Sequence, residues 1–179
     1  RKNLDCLCGS DWLENLLTKK YNVWGRAFSF AVDDPEYYID NSDTKNSIST
    51  IAFYARFSTP RRAVELALLS LIELTKRGIQ FQVAFFGSDL LPQSMFPYPF
   101  TNYGILDHEG LANLYRSADV GLVLSSTNYS LVPQEMIRCG LPVVDIDSES
   151  TRDVLPEDVV LKAAPDPKAI ADNIQKLLE

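Results

Sequence analysis

The stretch Thr127-Asn128-Tyr129-Ser130-Leu131-Val132-Pro133-Gln134-Glu135-Met136-Ile137-Arg138-Cys139-Gly140-Leu141-Pro142-Val143-Val144 is flanked by two apolar runs, Val120 to Leu124 and Leu141 to Ile146. Each run has the length and β-branched content of a buried strand. Between them the spacing predicts a turn and a helix that carries one carboxylate, Glu135, in its second turn. Such a strand, turn, helix and strand aims the helix N-terminus at the carboxyl edge of a sheet, the edge where open α/β sheets bind ligands.

The pattern extends in both directions. Upstream, Ile51 to Ala55 reads as a strand, Arg61 to Arg77 as a helix stopped by Gly78, and Phe81 to Phe86 as a strand ending at Gly87. A loop with Pro92, Pro97, Pro99 and the aromatics Phe96, Tyr98, Phe100 and Tyr103 leads into an extended piece, 101–106. Asp107 caps a helix over His108 to Ser117, and a strand follows from Asp119. Downstream come a helical turn within 148–158, a short strand at 159–161, and a last helix from Lys168 to Leu178. Strands alternating with helices imply a doubly wound, Rossmann-like parallel sheet, because each parallel crossover needs a helix.

Residues 1–46 read separately: a strand over Leu4 to Cys8, a helix over Asp11 to Tyr21 capped by Ser10 or Asp11, and a strand over Ala27 to Val32 stopped by Asp33-Asp34-Pro35. The polar segment 36–49, centred on 41–47, reads as a linker. The chain begins without Met, so it is read as an internal piece of a longer protein.

Composition narrows the partners. At 179 residues and 46% hydrophobic content the chain can bury a core, and its net charge of −7 argues against nucleic acid and anionic membranes as general partners. No apolar run reaches the roughly 18 residues of a membrane span. Three cysteines and one histidine offer neither a disulfide framework nor zinc spacing, so the thiols read as reduced, cytoplasmic core residues and no metal site is expected.

Chemistry concentrates at two places. Arg56, Arg61 and Arg62 lie between a strand end and a helix start, where the macrodipole disfavours cations unless an anion is bound. Solvated arginines paired with carboxylates are the competing reading. Ser130 can cap the following helix, Pro133 suits its first turn, and unpaired amides there suit phosphate. Glu135 can accept hydrogen bonds from a vicinal diol such as ribose, or pair with Arg138. His108 reads as solvent-facing, and the aromatic loop 96–103 as packing on the sheet edge in preference to stacking on a base. A dinucleotide-dependent oxidoreductase is disfavoured, since no G-x-G-x-x-G follows the first strand.

These residues resemble the C-terminal, donor-binding domain of GT-B glycosyltransferases of the family 4 type. The likeness rests on Ala55-Arg56 with Arg62 six positions on, Gly87 ending the next strand, and Glu135 in the second position of an E-x7-E segment that runs into Arg138-Cys139-Gly140-Leu141-Pro142-Val143-Val144. The resemblance implies that Arg56 and Arg62 hold a diphosphate with help from Arg61, that Glu135 binds the ribose, and that Tyr129, Ser130 and Leu131 contribute amides, with Thr127 and Asn128 near the sugar. It implies a nucleotide-diphosphate sugar as donor, no required cofactor, retention at the anomeric carbon, and cytoplasmic chemistry, with a place at the inner membrane face through the parent protein. The first glutamate falls on Thr127, a departure shared with rhamnosyltransferases of bacterial surface glycans, which implies a donor such as dTDP-rhamnose. Residues 1–46 then correspond to the last elements and linker of an acceptor-side domain, and 47–179 to the donor domain. A glycan or lipid-linked saccharide acceptor would bind the rest of that first domain. The alternative is a catalytically decayed sugar-nucleotide-binding or interaction module.

Overall fold

The computed structural model describes residues 5–32, 35–40, 47–89 and 96–179. Leu4, the Asp33-Asp34 stop, the linker centre 41–46 and Pro92 therefore lie outside the described residues.

Six parallel strands form the main sheet: β3 (Thr50–Tyr54), β4 (Gln82–Phe86), β5 (Phe100–Asn102), β6 (Val120–Leu122), β7 (Val143–Ile146) and β8 (Val160–Ala163). Their order is β5-β4-β3-β6-β7-β8, the Rossmann order, with Ile51 opposite both Val83 and Val120. Helices cover both faces, which explains why these strands read as near-continuous apolar runs. On one face, α2 (Val64–Lys76) and α6 (Pro167–Leu178) pack on Ile51, Phe53, Phe85, Leu122, Val144 and Ile146. On the other, α3 (His108–Ser117) and α4 (Val132–Arg138) pack on Ala52, Phe86, Val123 and Val143. Successive residues of β7 alternate faces, so Asp145 shares the α4 side with Val143. Each fully buried large side chain contributes about 1.5–3 kcal/mol.

Two close approaches set where α4 and β4 can sit. A Cβ on Gly121 of β6 would strike Met136 Sδ of α4, so a bare backbone lets that helix approach the sheet. Gly87 ends β4 with a φ of 92°, and a Cβ there would strike the Tyr54 ring.

A two-stranded parallel sheet, β1 (Asp5–Cys8) with β2 (Trp24–Ala27), and α1 (Asp11–Tyr21) precede this body. Ser10 Oγ accepts the Leu13 N–H at 3.2 Å, the expected cap. Trp12 docks the unit on α5 (Glu149–Val154), its indole Nε1 donating to Glu149 Oε2 at 2.7 Å and its amide to Asp153 Oδ2 at 2.8 Å. Residues 35–40 strap the α3–α4 face: Tyr37 is buried against Tyr115, and Arg138 Nε donates to Tyr37 O at 3.3 Å.

Four expectations are corrected. The strand expected over Ala27 to Val32 is Trp24–Ala27. Phe28 donates its N–H to Cys8 O at 2.9 Å and closes the ladder there. Beyond it, Phe28 and Phe30 turn their rings onto each other at 4.7 Å, so their alternation marks a loop packing on itself. The helix expected from Arg61 starts at Val64, after a 3-10 turn at Pro60–Arg62 and a left-handed Ala63 with φ 42°. The Arg61 carbonyl is taken by Ser126, from N at 3.0 Å and Oγ at 2.7 Å, so it is not offered to the residue four positions on. The last strand is Val160–Ala163, shifted from 159–161. Finally, Leu131 is the N-cap of α4, without a side-chain bond, and Glu135 falls in its first turn. No helix among the described residues is long and apolar enough to cross a membrane. The aromatic loop packs as expected, with Phe96 and Phe100 at 5.3 and 5.7 Å from the Phe85 ring.

Candidate functional site

Strand order reverses between β3 and β6, and the crevice beyond their carboxyl ends is where a doubly wound sheet takes ligand. The turn after β3, residues 55–63, faces the loop after β6, residues 123–131, across that crevice. Arg61 Nη1 donates to Asn128 Oδ1 at 2.7 Å, and Arg62 Nη1 to Ser125 Oγ at 3.2 Å.

The three arginines occupy three depths. Arg56 is exposed, and its side chain makes no bond among the described residues. Arg61 is exposed but tied to Asn128. Arg62 is only 6% exposed, with its guanidinium carbon 5.5 Å from the Tyr54 ring centre and its Nε without a partner. Burial, with Arg61 and Arg56 nearby, holds its pKa below the ordinary arginine value, while Tyr54 and Asp145 pull the other way. The competing reading of a solvated arginine paired with a carboxylate thus does not hold for Arg62. A buried cation with a spare donor is a strong place for an anion.

The facing loop is held from below. Asp145 Oδ1 accepts from Ser125 N and Ile146 N, both at 2.7 Å, and Ser150 Oγ accepts Tyr129 N at 3.0 Å. Asp145 is fully buried, and its Oδ2 has no partner. Burial lifts its carboxyl to about 7, against the lowering by the Ile146 and Ser125 bonds and Arg62.

The first-turn amides of α4 are spent. Val132 N–H goes to Ser130 Oγ at 3.3 Å, Gln134 and Glu135 donate to Leu131 O, and Pro133 has none. Ser130 therefore ties the helix start without being its N-cap. One step earlier, the N–H groups of Ser130 and Leu131 make no bond among the described residues. The free amides precede the helix.

A cavity of about 410 Å³ collects these groups: Arg62, Asn128, Tyr129, Ser130 and Leu131 from the main body, with Ser10 and Phe30 from the amino-terminal unit. Tyr129 OH donates to Gly9 O at 2.6 Å and joins the two parts. Arg56, Arg61, Thr127 and Glu135 do not line that cavity. Thr127 is exposed and bonds to Asn128 Oδ1 at 3.1 Å. Glu135 is half-buried and accepts from Tyr115 OH at 3.3 Å. Burial, then Glu135 itself, drives the Tyr115 phenol far above its ordinary pKa, so Tyr115 acts as a donor. Arg138, the competing partner for Glu135, turns to Tyr37 O.

His108 is exposed, as read from the sequence. All three cysteines are free, and no cluster of three or more His, Cys, Asp or Glu able to hold a metal occurs among the described residues. Sequence reasoning missed Asp145, Ser125 and Ser150; the visible signal was a carboxylate inside the apolar strand Val143-Val144-Asp145-Ile146.

The family described as WsaF, C-terminal domain, matches residues 49–175. The chain belongs to that family. Its sequence is similar to the O-antigen biosynthesis protein RfbC of Myxococcus xanthus, 33% identical over 159 residues that cover 87% of this chain and 12% of RfbC. Its structure is similar to sucrose-phosphate synthase of Thermosynechococcus elongatus, with TM-score 0.77 and 23% identity over 97% of this chain and 49% of that one. It is likewise similar to HepE of Anabaena in complex with UDP and glucose, with TM-score 0.76 and 12% identity over 97% and 53%. This WsaF-type chain thus spans about half of those solved structures and a small part of RfbC. Its fold is that of a GT-B glycosyltransferase C-terminal domain.

Proposed function

We propose that this glycosyltransferase-type domain binds the donor, a nucleotide-diphosphate sugar, in the cavity at the switch point. The observation that carries the reading is the meeting in one cavity of the buried Arg62, with its spare Nε, and the loop whose Ser130 and Leu131 amides are free. Departure of a nucleoside diphosphate builds negative charge on phosphate oxygens, and fixed donors in a part-buried site stabilise that charge. Arg62 and the two amides take this role, with Arg56 and Arg61 at the rim. They carry the charge that a metal ion carries elsewhere, so transfer proceeds without a metal; retention at the anomeric carbon is carried over from the family 4 resemblance alone.

Glu135 binds the ribose, oriented by Tyr115. Residues 1–46 belong to the acceptor-side domain, residues 47–179 form the donor domain, and the acceptor is a bacterial surface glycan or its lipid-linked precursor. Two likenesses support this: the similarity to an O-antigen biosynthesis protein, and the UDP and glucose held by HepE. Thr127, where the first glutamate of the E-x7-E segment is expected, favours a deoxysugar donor such as dTDP-rhamnose. The same residue is the observation behind the alternative of a decayed binding module.

Calorimetric titration with UDP, GDP, dTDP and their sugar nucleotides tests the reading. The expected outcome is binding in the millimolar range or tighter, with one base preferred; a folded chain that binds none refutes it. Sugar transfer by the full-length parent, lost in Glu135→Ala and Arg62→Ala, separates enzyme from decayed module.

A further inference from the structure

Beneath the cavity, Arg62, Ser125 and Asp145 form a chain of buried polar groups whose last member plays no part in the reading above. Asp145 Oδ1 is saturated by the Ser125 and Ile146 amides, while Ser125 Oγ accepts from Arg62. What remains unpartnered is Asp145 Oδ2 at one end and Arg62 Nε at the other. The carboxyl, at 0% exposed, is thus held beside one cation that also lines the ligand cavity. When Asp145 is ionised, the pair is neutral overall and offers little charge to an anion. When it is protonated, the Arg62 charge is uncompensated.

We propose that Asp145 is a positioning residue for the donor diphosphate: it fixes the start of the loop after β6 through Ser125, and it takes a proton from solvent when a phosphate oxygen reaches Arg62. The inference rests on the cavity being a nucleotide-diphosphate site.

The other groups around Asp145 leave the assignment to it. The turn after β3 brings Arg62, with Tyr54, Arg61 and Arg56 acting on that arginine. On β8, Lys162 stands opposite Asp145 but directs its amino group to Leu155 O at 2.8 Å and towards Glu157 at 3.9 Å. On α5, Arg152 pairs with Asp147. On α4, Glu135 accepts from Tyr115 and Arg138 donates to Tyr37 O. From α6, on the opposite face, Ile170, Ala171 and Ile174 enter the core. The carboxyl already stands near neutrality, raised to about 7 by its burial, so a modest further push moves it across the working range. Linkage then requires that an anion which favours the protonated form binds more tightly where that form prevails.

The test titrates this chain with UDP-glucose and with dTDP-rhamnose, whose diphosphate diesters do not titrate near neutrality. Calorimetry in two buffers of different ionisation enthalpy reads proton uptake directly. The wild type is expected to take up a fraction of a proton near neutral pH and to bind about tenfold tighter at about pH 6 than at about pH 8.5. Asp145→Asn, which keeps the oxygen that accepts the two amides, is expected to show no uptake and a flat profile at the tighter level. A His108→Gln variant, which removes the chain's one histidine, is expected to keep the wild-type uptake. Absence of uptake in the wild type overturns the inference even if Asp145→Asn does not fold, and so does uptake that persists in a folded Asp145→Asn. Binding with no proton linkage refutes the role of Asp145 alone, whereas no binding at any pH removes the donor reading with it.

Discussion

The turn after β3 and the loop after β6 face each other across one crevice and are built on opposite plans. The turn supplies formal charge at graded depths, from exposed Arg56 through tethered Arg61 to buried Arg62. The loop supplies backbone, with the Ser130 and Leu131 amides left open and the chain around them pinned by Ser150 and Asp145. A side-chain cation reaches and adapts, whereas an amide acts only if its backbone is already in place. The supporting carboxylate accordingly lies under the loop and holds Ser125, and the buried Arg62 leans on that same serine. The two plans meet at Ser125.

The largest effect is expected where they meet. Asp145 is raised to about 7 from an ordinary 3.8. Below about pH 4 the folded and unfolded chains are both protonated there, and the group has no effect. Between about pH 4 and 7 the unfolded chain ionises while the folded one keeps its proton, so stability falls as pH rises. Above about pH 7 the loss is complete, on the order of 4 kcal/mol. Asp145→Asn keeps the acceptor oxygen and removes the ionisation. Urea unfolding is expected to show the variant more stable than wild type at pH 8 and about equal at pH 4. A variant that loses stability at both pH values would mean that the loop depends on the charge itself.

Next comes Arg62→Ala, which strips the charged side of its buried member. Loss of a desolvated, charge-assisted contact costs about 3 kcal/mol, on the order of a hundredfold in donor affinity by calorimetry. Gly121→Ala strikes the loop side from behind, because the new methyl group meets Met136 Sδ. Overpacking between β6 and α4 is expected to cost about 2 kcal/mol and to lower the melting temperature by about 5 °C. Donor affinity is expected to fall with it as α4 is displaced; an unchanged melting temperature would show that Met136 yields freely.

The same contrast explains what could be read in advance. Strands buried on both faces appear as apolar runs, and α1 and α3 announce themselves through Ser10 and Asp107, so the doubly wound class and most elements were legible. Strand order was not, since register and neighbours depend on contacts distant in sequence. The depth of Arg62 was not legible, because the 3-10 turn that carries it is tied through the Arg61 carbonyl to Ser126, a partner 65 residues away. Asp145 was hidden inside a run read only for its apolar neighbours. Phe28 and Phe30 mimicked a strand because alternating aromatics serve a self-packed loop as well as a sheet.

The smallest expected effect lies at the rim and tests the grading by depth. Arg56 has solvent around it and no partner among the described residues, so its attraction for a bound diphosphate is screened by water and salt. Arg56→Ala is expected to weaken donor binding about threefold at low ionic strength and to have no measurable effect at high salt, while Arg56→Lys behaves like wild type at both. The Arg62→Ala loss, by contrast, should persist at high salt because that guanidinium is buried. If Arg56→Ala instead matches Arg62→Ala and resists salt, then Arg56 folds inward when the donor binds. The turn would then act as a closing clamp, and depth in the unliganded chain would no longer rank the three arginines.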